Sequence, residues 1–90
     1  MFVAVSCDLA SNDHRDAVFK IFSQYGLKQI LANLFESTSI SEKVLSRLKR
    51  DIDRVTDSYD GLRFYQYPVE DTLVITSLKE KKWRKLTIRV

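Results

Sequence analysis

The sequence predicts a two-layer α/β sandwich, and three observations carry that reading. Two segments repeat apolar residues at helical spacing. Each lies between segments of extended character. Each has a single apolar face, which a sheet must cover. Ninety residues are read as one domain, residues 1–90, with a modest core that association would supplement.

The first strand is read from Met1 to Leu9, apolar and small for seven residues before it meets Asp8. A carboxylate at the end of a buried strand is costly unless it is paired, solvated or binding a cation. Ala10, Ser11, Asn12 and Asp13 follow, and a helix should start near Asp13 with Asn12 or Asp13 as its cap. Val18, Ile21, Phe22 and Tyr25 fall on one helical face, and Gly26 is its stop. Lys28 to Ser37 reads as extended and largely buried. Propensity alone gives one long strand here, and Asn33, its only turn-former, is where a break could fall.

Ser39 to Glu42 has the pattern of a capping box, with Ser39 as the cap. Val44, Leu45, Leu48, Ile52 and Val55 make the apolar stripe of a second helix ending near Thr56. Lys43, Arg47, Arg50 and Arg54 recur on another face, which reads as a solvated surface. Asp57 to Gly61 is a turn cluster. Leu62 to Tyr67 is a strand ended by Pro68, and Thr72 to Leu78 is another. A polar loop from Glu80 precedes the last strand, where Leu86, Ile88 and Val90 alternate with Lys85, Thr87 and Arg89. With a break at Asn33 the order is βαββαβ followed by a C-terminal strand, a ferredoxin-like plait.

Composition narrows the function classes. Hydrophobic residues at 44% and charged residues at 30% place the chain among soluble globular proteins rather than disordered ones. Cys7 is the single cysteine, so no internal disulfide forms and a reducing cytoplasm fits. The apolar start lacks a basic leader and is cut short by Asp8, so it does not read as a signal peptide, and no segment is long enough to span a membrane. Residues 79–90 hold six Lys or Arg against one Glu, whereas residues 1–78 hold nine basic and eleven acidic residues. The basic tail suits an anionic partner or a protected sheet edge.

The usual catalytic sets are missing. With one Cys and one His there is no Cys/His zinc spacing, and there is no Gly-rich phosphate loop. His14 is an isolated histidine in a first helical turn, and Cys7 reads as a small core residue. Asp8 remains as the candidate metal-binding and catalytic carboxylate. Mg²⁺ commonly takes one or two carboxylates with water and phosphate oxygens, so a dimer pairing two copies of Asp8 would complete such a site.

Four segments carry a resemblance. Phe2 to Leu9 resembles the opening strand of the CRISPR-associated Cas-two proteins, apolar residues that end in Tyr-Asp-Ile or Tyr-Asp-Val. Asn12 to Gly26 resembles their polar, Arg-containing helix start and closing Tyr-Gly. Asn33 to Glu36 resembles their Ser-Val-Phe-Glu, and Asp60 to Tyr65 their Asp-Ser-Val-Arg-Ile-Tyr. The four occur in order and at matching spacing.

The resemblance implies a ferredoxin-like fold, a hairpin around Asn33 and a symmetric homodimer built face to face through the sheets, with the C-terminal strand completing the partner's sheet. It implies that the basic segment 79–90 packs on the partner protomer. It places the metal-binding aspartate, with Mg²⁺, at Asp8 near the dimer axis. Two activities are implied: a duplex-DNA-binding scaffold between Cas-one integrase dimers in spacer acquisition, or a Mg²⁺-dependent endonuclease acting on RNA or DNA. A toxin ribonuclease of the VapD kind shares the dimeric plait and is a further alternative. Arg15, Lys79, Lys81, Lys82, Arg84 and Lys85 are the expected phosphate contacts. The family Tyr before the aspartate is Cys7 here, and the family Gln and Ser before Val-Phe-Glu map onto Leu31 and Asn33, which favours the scaffold over the nuclease.

Overall fold

The computed structural model describes residues 1–89. Val90, read above as the last apolar residue of the final strand, lies outside them. The elements run β1 (Phe2–Asp8), α1 (Asn12–Gln24), β2 (Lys28–Leu31), β3 (Leu34–Ser37), α2 (Glu42–Val55), β4 (Gly61–Val69), β5 (Thr72–Lys79) and β6 (Lys82–Arg89). Six strands form one sheet in the order β2-β3-β1-β4-β5-β6, every neighbour antiparallel. Two helices pack on one face of it, so the fold is an α+β sandwich.

Strand alternation decides what each face carries. Val3, Val5 and Cys7 of β1 are buried among Leu62 and Phe64 of β4, Phe35 of β3 and Leu78 of β5. The helices close this core with Val18, Phe22, Leu45, Leu48 and Ile52. Each such fully buried side chain contributes about 1.5–3 kcal/mol. Phe35 sits against both Phe19 and Phe22, with ring centroids 4.7 and 4.6 Å away. A polar group is also enclosed here: Lys49 Nζ (2.6 Å) and Thr76 Oγ1 (3.0 Å) both donate to Gln66 Oε1. Burial lowers the Lys49 ammonium to about 8.

Several local expectations are corrected. The cap of α1 is Ser11, whose Oγ accepts from the His14 amide at 3.1 Å, rather than Asn12 or Asp13. Gly26 does end that helix. Its φ of 80° lets Leu27 N reach Phe22 O and Gly26 N reach Ser23 O, the paired bonds of a Schellman turn.

The cap of α2 is Ser41 rather than Ser39. Ile40 exchanges both backbone bonds with Met1, at 3.2 and 2.8 Å, so the chain stays extended through residue 40. The break at Asn33 is real, and β2 and β3 form a hairpin. Its outer strand β2 is exposed throughout, not buried, because it is the sheet edge beyond β3.

The strand before Pro68 continues through it to Val69, with the β4–β5 register shifting between Gln66 and Val69 to accommodate the missing donor. The loop from Glu80 is a two-residue turn. Glu80 and Lys81 take φ of 55° and 60°, the left-handed pair of a tight hairpin. Strand β6 therefore begins at Lys82 and pairs with β5 of its own chain over its whole length.

Candidate functional site

Four strands present aligned rows on the sheet face away from the helices. Asp8, Gly61, Lys79 and Lys82 stand opposite one another across β1, β4, β5 and β6. Ser6, Arg63, Ser77 and Arg84 form the next row. Beyond them the same face turns apolar: Ala4, Tyr65, Ile75 and Leu86 form a row, with Phe2, Tyr67, Leu73 and Ile88 further along. Leu86 is 53% exposed, Ile88 39% and Tyr67 50%. Half of this face is thus basic and half is uncovered apolar surface.

An open depression lies in the basic half. Asp8, Tyr59, Arg63, Lys79, Glu80 and Arg84 are among its lining residues. Gly61 makes room for it. A Cβ there would meet nothing nearer than the Asp8 carbonyl oxygen at 4.0 Å, so glycine leaves the floor empty between Asp8 and Lys79. Neighbouring strands are about 4.8 Å apart, which puts Lys79 on the order of 10 Å from Asp8. Asp8 is exposed and, among the described residues, forms no ion pair. It is solvated at the rim of the sheet, one of the three outcomes open to a carboxylate in that position. Arg63 lies over the Tyr65 ring, 5.5 Å from its centroid.

The six basic residues expected to meet phosphate do not share one surface. Lys79, Lys82 and Arg84 lie on the open face with Asp8. Lys85 opposes Thr76 and so points to the helix side. Lys81 Nζ is held at the end of α2 by Asp53 O (2.5 Å), Asp53 Oδ1 (3.3 Å) and Thr56 O (3.1 Å). Arg15 stands in the first turn of α1, near enough to the Cys7 thiol to act on its titration. Arg63 and Tyr59 were not singled out from the sequence. The signal for Arg63 was present, since Leu62, Phe64 and Gln66 alternate with Arg63, Tyr65 and Tyr67.

Behind the depression lies a second polar cluster. His14, Asp57 and Asp60 each place a ligand atom within 4.8 Å of the others, so the group could hold a metal ion. Its hydrogen bonds show what it does in this structure. The Asp60 side chain is fully buried. Its Oδ1 accepts from Ala10 N at 2.8 Å, and its Oδ2 accepts from Asp57 N at 2.9 Å and meets His14 Nδ1 at 2.7 Å. Asp57 Oδ1 accepts from Tyr59 N at 2.9 Å. Both Asp60 oxygens are committed, which suits a staple between the β1–α1 and α2–β4 loops and fits a hard, water-rich ion such as Mg²⁺ poorly. Asp8, exposed and without an ion pair among the described residues, leaves its carboxylate oxygens uncommitted. His14, read as isolated, belongs to the staple.

Burial pushes the Cys7 thiol up to about 11 against a smaller opposing effect of Arg15, which disfavours its thiolate form. No helix among the described residues is long and apolar enough to cross a membrane.

Comparison with known families places the chain. The family CRISPR associated protein Cas2 matches residues 1–86 of the 90. The chain belongs to the Cas2 family. Its role is therefore CRISPR-associated, as the four ordered segments imply. No curated protein and no solved structure matches the chain.

Burial raises the Asp60 carboxyl, but the Ala10 and Asp57 amides and the His14 ring outweigh that and hold it below its ordinary value. A lowered folded value means that the stability Asp60 supplies is complete above the unfolded value, about 3.9. It is lost as pH falls through the lower folded value. We predict that Asp60→Asn, which turns one acceptor into a donor, costs about 2 kcal/mol at pH 7. The gap between variant and wild type should narrow below about pH 4. Urea unfolding at pH 7 and pH 3 measures both, and a gap that ignores pH would contradict the staple.

Proposed function

We propose that this Cas2 chain acts as a homodimeric, duplex-DNA-binding scaffold of spacer acquisition, seated between Cas-one integrase dimers. The observation that carries the reading is the divided open face. Arg63, Lys79, Lys82 and Arg84 offer cations in two adjacent rows, spaced by the sheet and directed to solvent. Such a surface binds a phosphate backbone without reading bases, as a scaffold for arbitrary spacers requires. The apolar half of the face supports the dimer. A protomer this small gains by covering Leu86, Ile88 and Tyr67 on a second copy, and a two-fold axis covers them twice. Packing of segment 79–90 on the partner is part of this proposal. It would add to the pairing of β6 with β5.

A second reading rests on Asp8. Its carboxylate is exposed and unpaired beside three cations, so two copies across a dimer axis would offer Mg²⁺ a shared site. There the ion would activate water and offset charge on a phosphodiester of RNA or DNA.

Three outcomes are expected. Fluorescence titration of a short blunt duplex across salt concentrations should show binding that weakens steeply with salt. Arg84→Ala should reduce the log–log slope by about 0.9, one phosphate contact. Lys81→Ala should change it less, because α2 already holds that ammonium. An unchanged slope for Arg84→Ala would remove the basic rows from the interface.

Leu86→Asp should leave the protomer folded, since that side chain is half exposed, and should dissociate the dimer. Sedimentation across concentration reads this, and a wild-type protein that stays monomeric would sink the dimer and the shared Asp8 site together. Cleavage of RNA and duplex DNA by wild type and Asp8→Asn, with Mg²⁺ and with chelator, decides the second reading. Equal cleavage by both proteins would count against it.

A further inference from the structure

We propose that the seam between α2 and the β5–β6 hairpin, on the helical side of the sheet, is a site for a doubly charged phosphate group, free or as a monoester, held by Lys49, Gln66 and Lys85. The first observation is a cation without a counter-ion. Lys49 is half-buried, its Nζ lies 5.3 Å from the centre of the Phe64 ring, and it forms no salt bridge among the described residues. Its one hydrogen bond among them goes to Gln66 Oε1 at 2.6 Å. An ammonium carries three N–H donors, so two stay open. Burial lowers this ammonium to about 8, with Glu42 opposing the effect and the charge of Lys85 adding to it. An anion in the seam would offset that cost.

A second open donor stands beside it. Gln66 is only 3% exposed. Its Oε1 accepts from both Lys49 and Thr76, which fixes the orientation of the amide, because an ammonium only donates. Its Nε2 keeps both N–H groups, with no partner for either among the described residues. No enclosed polar side-chain atom goes unpartnered among them, so Nε2 opens on the seam. Amide geometry puts Nε2 within about 5 Å of Lys49 Nζ. Two hydrogen bonds of about 2.9 Å can meet on one oxygen across that gap. Lys85 is the third group. It is exposed and opposes Thr76, so it points to the same side.

The other charges around the seam leave these donors free. Asp53 of α2 is taken up by Lys81 and by Trp83 Nε1, each at 3.3 Å. Glu42 begins α2, two helical turns from Lys49. On β6, Arg89 opposes Thr72, two rows beyond Lys85. Strands β4 and β5 offer Gln66, Thr72 and Thr76 and no charge on this side. Two cations with open donors match a dianion. A carboxylate or a backbone phosphodiester carries only one charge.

The test titrates full-length labelled protein with methyl phosphate at constant ionic strength and follows it by NMR. A phosphate monoester is doubly charged above about pH 7. The Gln66 side-chain amide and the end of the Lys49 side chain should shift together and saturate. Loss of the Lys49 proton removes a charge-assisted hydrogen bond, about ten-fold in affinity. Affinity should therefore fall about five-fold between pH 7 and pH 9. Lys85→Ala, a change at an exposed position, should weaken binding and keep that pH dependence. Lys49→Met, which keeps the apolar stem, should abolish binding. Inorganic phosphate should compete with methyl phosphate, and acetate should not. A Gln66 amide that ignores methyl phosphate, or that answers acetate equally, overturns the site, as does unchanged affinity in Lys85→Ala. A shift produced only by a blunt duplex without terminal phosphates would make the seam a backbone contact and overturn it too.

Discussion

The register of β1 on β4 is the constraint on which the rest of the structure depends. Val5 opposes Phe64, Cys7 opposes Leu62 and Asp8 opposes Gly61. A slip of one residue would turn Val3, Val5 and Cys7 to solvent and carry Asp8 toward the helices. The core forbids it, since those three side chains are at most 5% exposed. The same register then sets the outer face. Once β5 and β6 add on in step, cations and serines fall into two rows and apolar residues into the next. Core and candidate site are two sides of one alternation.

Asp60 couples that sheet to its loops. Its buried carboxylate would be costly without partners, and it has three, from Ala10, Asp57 and His14. Through them the loop after Asp8 and the turn that carries Tyr59 become one piece. On the other side Lys81 and Trp83 bind Asp53 of α2, and Trp83 also lies 5.9 Å from the Phe64 ring. The tight turn at Glu80 and Lys81 is thus anchored despite its left-handed backbone. Two of the cationic or aromatic residues of the tail therefore serve the fold, and Lys79, Lys82 and Arg84 remain free for an anion.

Much of the fold was legible because it is local. The apolar stripes of α1 and α2 and the stop at Gly26 are written within a few residues of where they act, whereas the hairpin at Asn33 came from the family resemblance and propensity favoured one long strand. Features set by distant partners were not. Ser41 rather than Ser39 caps α2 because Met1, some forty positions away, holds Ile40 extended. His14 looked isolated because Asp60 lies 46 residues further along the chain.

Asp8 was visible as a charge that ends an apolar run, but its freedom from ion pairs was not. The basic tail was visible as net charge. Its division between the two faces followed only once β6 was known to start at Lys82, since that residue fixes which of Arg84 and Lys85 points outward. Arg63 was hidden in plain view, within a strand read for its ends rather than for its alternation.

We propose that the basic half of the open face, not the helical side, meets nucleic acid. The outer side of α2 is a real competitor, for Lys43, Arg47, Arg50 and Arg54 are exposed there and, among the described residues, only Arg54 of the four is paired, with Asp51 at 3.6 Å. Titrating a short blunt duplex into ¹⁵N-labelled protein and following the backbone amide shifts separates the two directly. Shifts are expected at Ser6, Asp8, Gly61, Arg63, Ser77 and Arg84, with the outer face of α2 undisturbed. Shifts confined to α2, with those rows silent, would contradict it.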